Sequence, residues 1–203
     1  MGVFAYTYAT NPSPGSPSDY NSWLTRTTET LPDLNQNIVY SNAKGETMLS
    51  VYVNNPSGTK WITFNKFDSQ GRRILEADPA AVSGYNDSYG DLMNFVSGVS
   101  SYLNDNAGIV TKYSYYTSSD TPQASSSTAG AAPGYVKDVS IQQGESGTAI
   151  PQELWKYYKF TDSNGLVVYP LASDTIYRNA AGADAQTTSH AYTLFAGTNQ
   201  IES

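Results

Sequence analysis

The chain of 203 residues predicts an all-β fold. The expected architecture is an antiparallel meandering sheet of repeated hairpins, forming a twisted strip or a partial barrel or shell. Three observations carry this. Tyr fills 17 positions and aromatic residues 13% of the chain, against only 14% charged residues; rings and β-branched side chains suit a pleated, half-buried surface. Apolar and polar residues alternate with period 2 over several runs. Between those runs, an Asp or Asn is followed three positions later by Gly at four places.

The elements follow in order. Met1–Tyr8 alternates like a strand and has neither a basic start nor a long apolar stretch, so it does not read as a signal peptide. Pro12, Pro14, Gly15 and Pro17 then make a loop, and residues 1–35 read as one strand plus a Pro-rich loop. Residues 36–116 read as hairpins, with strands at Met48–Val53, Trp61–Phe67 and Ile109–Tyr116. Large residues alternate onto both sides of these strands, which predicts rings on both faces of the sheet. Asp78-Pro79-Ala80-Ala81 followed by Gly84 suits one helical turn. Leu92, Phe95, Val96 and Val99 have helical spacing, but Gly98 and the Ser-rich flanks favour a strand. Residues 117–151 read as a Ser/Thr/Ala/Gly-rich insertion or linker whose 117–134 part has nothing to bury. Further hairpins fill 152–203, with strands at 154–160 and 190–195, and Ile201-Glu202-Ser203 reads as a cut in a longer chain.

The recurring turns are Asn42–Gly45, Asp68–Gly71, Asp105–Gly108 and Asp162–Gly165, each with aromatic residues shortly before it and an apolar strand after it. An Asp or Asn oxygen accepts a hydrogen bond from the backbone two residues on and starts a type I turn. A glycine three positions later takes positive φ at no steric cost and restarts the ladder with a bulge.

Phe67-Asp68-Ser69-Gln70-Gly71-Arg72-Arg73-Ile74-Leu75-Glu76-Ala77-Asp78-Pro79 closely resembles the RHS/YD repeat of bacterial proteins, whose pattern is Tyr-Asp, about two residues, Gly-Arg, an apolar pair and Asp-Pro. The units at Tyr40 and Phe160 are degenerate forms, each with one residue inserted before the Asx. Thr187–Phe195 resembles the family's aromatic strand between turns. The likeness spans residues 36–116 and, less closely, 152–203. It implies a structural, non-catalytic segment of a surface or toxin-delivery shell, secreted or displayed at the cell surface, whose partners are neighbouring repeats or copies joined through sheet edges. The family's C-terminal core domain and toxin have no match here, so its autoproteolysis does not carry over.

Charge and residue inventory narrow the chemistry. A net charge of −7 without a basic cluster argues against nucleic acid. Cysteine is absent, which removes disulfides, thiolate metal sites and Cys nucleophiles. No run approaches a membrane-spanning length, so insertion is not expected. No cofactor is expected. His190, the single histidine, stands without a Gly-x-Ser-x-Gly elbow and reads as a strand residue. Glu46, Glu76 and Glu153 supply carboxylates for glycoside hydrolysis, but turn and strand roles account better for the acids. Turn oxygens lack the spacing of a calcium loop. Trp61 and Trp155, with Trp23 and the tyrosines, form the candidate aromatic platform for sugars; cross-strand packing is the simpler reading. A secreted carbohydrate-binding or adhesive β-module is the alternative to the structural assignment.

Overall fold

The computed structural model describes residues 2–200 and Glu202; the cut expected at Ile201-Glu202-Ser203 falls largely outside them. The chain is all-β. Its strands are β1 (Ala5–Thr10), β2 (Trp23–Thr30), β3 (Gln36–Asn42), β4 (Thr47–Asn54), β5 (Thr59–Phe67), β6 (Arg73–Ala77), β7 (Phe95–Val96), β8 (Val99–Ser100), β9 (Ile109–Tyr115), β10 (Val136–Gln143), β11 (Ile150–Tyr157), β12 (Phe160–Thr161), β13 (Val167–Val168), β14 (Leu171–Tyr177) and β15 (Ala185–Ser189). Eleven of them form one sheet in the order β1-β2-β3-β4-β5-β6-β9-β10-β11-β14-β15, a meander in which chain neighbours pair. It is open: β1 pairs only with β2, and β15 only with β14, among the described residues. Two compact units divide the chain, one ending at Lys112 and including Gln142–Ala149, the other made of Tyr113–Ile141 and the chain from Ile150.

In the first unit the register makes the sheet one-sided. Tyr40 faces Leu49, and Leu49 faces Phe64; Ile38, Val51 and Ile62 form the next row on the same side. These rings and branched chains are buried under the segment after β6, which contributes Ala81, Val82, Leu92, Met93 and Leu103. Phe64 is 1% exposed and Leu92 0%, and burying a side chain of that size stabilises by about 1.5–3 kcal/mol. The opposite face, with Val39, Tyr52 and Trp61, stays partly open. Rings stand on both faces of the sheet, as the alternation predicts, but only one face is covered. The covering segment folds back on one side only, so the other side keeps solvent and takes Thr, Ser and Asn between its rings.

The one-turn helix exists as a 3-10 turn at Pro79–Ala81, although Asp78 makes no side-chain cap. Residues 92–99 are not one strand: Ser97 and Gly98 both have positive φ (53° and 88°) and close a two-residue hairpin between β7 and β8, the backbone of a type I′ turn. Residues 1–35 hold two strands. β2 escapes a pattern search because Thr25-Arg26-Thr27-Thr28-Glu29-Thr30 offers no apolar alternation, while β1 and β3 pair with that stretch on either side.

The second unit packs around Tyr116, Ala131, Ala132 and Tyr157, with Trp155, Tyr169 and Leu171 against them. The 117–134 stretch is thus not empty of burial. Ala124 pairs with Ala131 (N to O, 3.0 Å), and Gly130 exchanges two backbone hydrogen bonds with Tyr157 at 2.9 and 3.0 Å. Small alanines fit beneath a tyrosine ring yet leave no periodic signal. Nor does 117–151 serve only as a linker, since it contains β10 and the start of β11. The strand expected at 154–160 breaks after Tyr157, and that expected at 190–195 lies earlier, at Ala185–Ser189. The ladder on β14 runs out there: His190 N–H still reaches Ala172 O at 2.9 Å, but Pro170, just before β14, has no N–H to give.

Glycine substitutions in the first unit separate backbone strain from collision. Gly45 has φ of 83° and open space around it, whereas Gly108, at 74°, has the Ala80–Ala81 backbone where a Cβ would stand. Gly45→Ala is expected to cost about 1–2 kcal/mol, the left-handed penalty alone, and Gly108→Ala clearly more. Urea unfolding of the two variants checks this; equal losses would refute the difference.

Candidate functional site

Three of the four expected turns share one closure. At Asn42 the side-chain Oδ1 accepts the N–H groups of Lys44 (2.9 Å) and Glu46 (3.0 Å), Gly45 N–H donates to Asn42 O at 3.0 Å, and Asn42 N–H donates to Glu46 O at 3.0 Å. Asp68 repeats it with Gln70, Gly71 and Arg72 at 2.8–3.1 Å, and Asp162 with Asn164, Gly165 and Leu166 at 2.8–3.1 Å. The glycines lie at φ of 83°, 79° and 82°. They close the β3–β4, β5–β6 and β12–β13 hairpins.

Asp105–Gly108 differs. No side-chain bond from Asp105 closes it; Gly108 is left-handed instead because it passes against the Ala80–Ala81 backbone and accepts Gly144 N–H at 3.0 Å. An unread turn takes its place. Asn179 Oδ1 accepts Ala181 and Ala183 N–H at 3.1 and 3.0 Å, with Gly182 at φ 71°, and closes β14–β15. The signal was present as Tyr177-Arg178-Asn179-Ala180-Ala181-Gly182, but no apolar strand follows it.

The acids are spread over these structural tasks. Glu46 accepts from Asn42 Nδ2 at 2.7 Å, Glu76 pairs with Arg73 at 2.8 Å, and Glu153 lies in β11 opposite Val139. Burial raises the Asp68 carboxyl, but the Arg72 guanidinium at 2.6 Å and two backbone N–H groups outweigh it and hold its pKa below the usual carboxylate range. His190, just after β15, has its Nε2 3.2 Å from Asp174 Oδ1 of β14. Among the described residues no three His, Asp or Glu side chains converge in a metal-binding group.

The two named tryptophans part company. Trp155 is partly buried against the second core, and its carbonyl accepts Tyr116 Oη at 2.7 Å. Trp61 stands on the open face of the first unit, 45% exposed. There the register lines up Tyr6, Glu29, Asn37, Tyr52 and Trp61 in one row across β1 to β5. Glu29 ties the row together, accepting Tyr6 Oη at 2.5 Å and Asn37 Nδ2 at 2.8 Å. The Tyr52 and Trp61 rings meet at 5.6 Å, tilted by 44°. Beside them is a shallow groove of about 350 Å³ with Val39, Ser50 and Thr63. The Ser50 and Thr63 hydroxyls face each other across β4 and β5 and have no bonded partner among the described residues. Five strands at about 4.8 Å spacing give the row a span of about 19 Å.

Neither protein-family models nor curated proteins give a match to this chain. No helix among the described residues is long and apolar enough to cross a membrane.

Two titrations check the second unit. Lys137 at 2.7 Å, with the Thr117 N–H and hydroxyl, holds the Asp120 carboxyl down at about 2, so its contribution should persist above the unfolded carboxylate range and fade only as pH falls toward 2. Burial, then Tyr116 and Tyr135, pushes the Tyr157 hydroxyl up to about 12. Its stabilising effect is whole below the ordinary tyrosine value of about 10 and is lost as pH rises through about 12. Carboxyl-resolved NMR of Lys137→Met should show Asp120 titrating higher, and an absorbance titration of Tyr157→Phe should lose a tyrosine step at about 12.

Proposed function

We propose that this chain is a structural, non-catalytic segment of an RHS/YD-type repeat array, secreted or displayed at a cell surface. The observation that carries the reading is the identical hydrogen-bond closure at Asn42, Asp68 and Asp162, repeated in looser form at Asn179. Each unit spends its most polar side chain on positioning backbone, and each hairpin hands the chain to the next strand in order. A sequence built that way specifies a surface of defined extent. The acids that might have served catalysis hold turns and strands instead.

Such a segment works by edge pairing with neighbouring repeats or with other copies. β1 (Ala-Tyr-Thr-Tyr-Ala-Thr) and β15 (Ala-Gln-Thr-Thr-Ser) carry no charge and no proline, the features that usually guard an exposed edge. The isolated chain should therefore self-associate as its concentration rises, and Tyr8→Lys with Gln186→Lys should suppress this. Light scattering decides the point: a monodisperse monomer at every concentration would sink edge pairing as the working mode.

The open row across β1 to β5 favours a second reading, a carbohydrate-binding or adhesive β-module. Exposed rings with hydroxyl and amide neighbours suit the apolar faces and hydroxyl edges of a neutral glycan. Saturable quenching of tryptophan fluorescence by neutral oligosaccharides, abolished in Trp61→Ala, is the outcome this reading requires.

A further inference from the structure

On the covered side of the same sheet, a second concavity lies where the segment after β6 stops short of the β2 and β3 strands. It is an open cleft of about 540 Å³. The register places Arg26 beside Tyr40, Thr28 beside Ile38, and Gln36 beside Val53, which in turn faces Lys60. These side chains form the sheet wall, and Tyr85, Asp87 and Tyr102 descend from the covering segment.

The wall is built and held. Trp23 Nε1 donates to the Asp87 carbonyl at 3.1 Å, fixing the loop that carries that residue. The Asp87 carboxylate accepts Arg26 Nη1 at 2.9 Å and Tyr40 Oη at 3.4 Å. Tyr40 is 1% exposed and meets the Tyr85 ring edge-on at 5.5 Å, so the floor is rigid. Lys60 has no ion-pair partner among the described residues; its ammonium sits 5.7 Å from the Tyr85 centroid. Two cations and one carboxylate leave the cleft one positive charge in excess, in a chain whose net charge is −7. The Thr28 and Tyr102 hydroxyls also have no hydrogen-bond partner among the described residues, and the Gln36 and Asn86 amides complete a wall that is mainly polar.

We propose that this cleft binds a hydroxyl-rich monoanion, the chemistry of a uronic acid unit, with its carboxylate on Lys60 and the free side of Arg26 and its hydroxyls on Thr28, Gln36 and Tyr102. One net positive charge matches one carboxylate. A neutral sugar would leave Lys60 uncompensated, and a doubly charged phosphate would meet the Asp87 carboxylate. An aromatic acid would leave the hydroxyls and amides desolvated without partners, a cost of about 1–3 kcal/mol per group. This inference stands apart from the array reading and from the Trp61 row, which lies on the opposite face.

Calorimetric titration of the whole chain tests it, with galacturonate, tri-galacturonate, the methyl-esterified trimer and a neutral galactose trimer as probes. Saturable binding is expected for the acids, stronger for the trimer if the natural source is a polymer and equal for the monomer if it is a free acid. Binding should weaken with added salt. Lys60→Gln, an exposed position, should weaken it by about tenfold or more, the loss of one charged hydrogen bond. Tyr102→Phe should weaken it less, and Trp61→Ala should leave it unchanged. Equal heats for acid and ester, indifference to Lys60→Gln in a variant with unaltered circular dichroism, or no saturable binding by either acid would each overturn the proposal. Self-association by light scattering is read separately, so loss of this site leaves the array reading standing.

Discussion

The structure depends on one local arrangement: a side-chain oxygen that accepts two backbone N–H groups, followed by a glycine in the left-handed region. Asn42, Asp68 and Asp162 each supply that oxygen, and Gly45, Gly71 and Gly165 each supply that conformation. A hairpin closed in this way has a fixed register, because the backbone N–H and the side-chain oxygen of the Asx residue both pair with the fifth residue of the turn, and its C=O accepts the glycine N–H. A slip of one residue would carry Tyr40, Leu49 and Phe64 from the covered face to water, so turn chemistry and core burial enforce the same answer. The bulges just before the turns, at Tyr40/Ser41 and Lys66/Phe67, absorb the extra residue that this closure introduces.

What was legible in the sequence divides along the same line. Turns that use a local side-chain bond are visible from Asx and Gly alone, as at Asn42, Asp68 and Asp162. Asp105–Gly108 satisfied the pattern yet closes no hairpin, because its glycine answers a distant contact with Ala80–Ala81 that no local spacing encodes. Asn179–Gly182 was passed over because the strand after it, Ala-Gln-Thr-Thr-Ser, is exposed along its whole length and so carries no apolar alternation. β2 was invisible for a related reason: its order comes from partners on both sides. Ala131 and Ala132 are buried with Tyr157, and small residues leave no mark on a hydropathy pattern.

The open row and the cationic cleft are less legible than the turns. Trp61 stands out in the sequence as a candidate sugar-stacking ring, but its alignment with Tyr6, Glu29, Asn37 and Tyr52 needs the register of four ladders at once. Arg26 and Lys60 are 34 residues apart in the chain and look like scattered surface charges. They share a cleft because β2, β3, β4 and β5 pair in sequence, so that positions on alternate residues of four strands fall on one side.

A division of labour follows from the meander itself. Each strand pairs mainly with its chain neighbours, so the ladder is specified by contacts of short sequence separation, the kind that form early and with little loop-closure cost. Once turns fix the ladder, the two faces are free to carry different chemistry. On the covered face of the first unit the alternating positions are committed to Tyr40, Leu49, Val51, Ile62 and Phe64. On the other face the same strands hold Asn37, Ser50, Tyr52, Trp61 and Thr63, none of which is needed to bury the core. Substitution on that face can change what the surface attracts while the backbone stays in place. That separation is what the proposed architectural role requires, since a scaffold's shape must survive changes in what it touches.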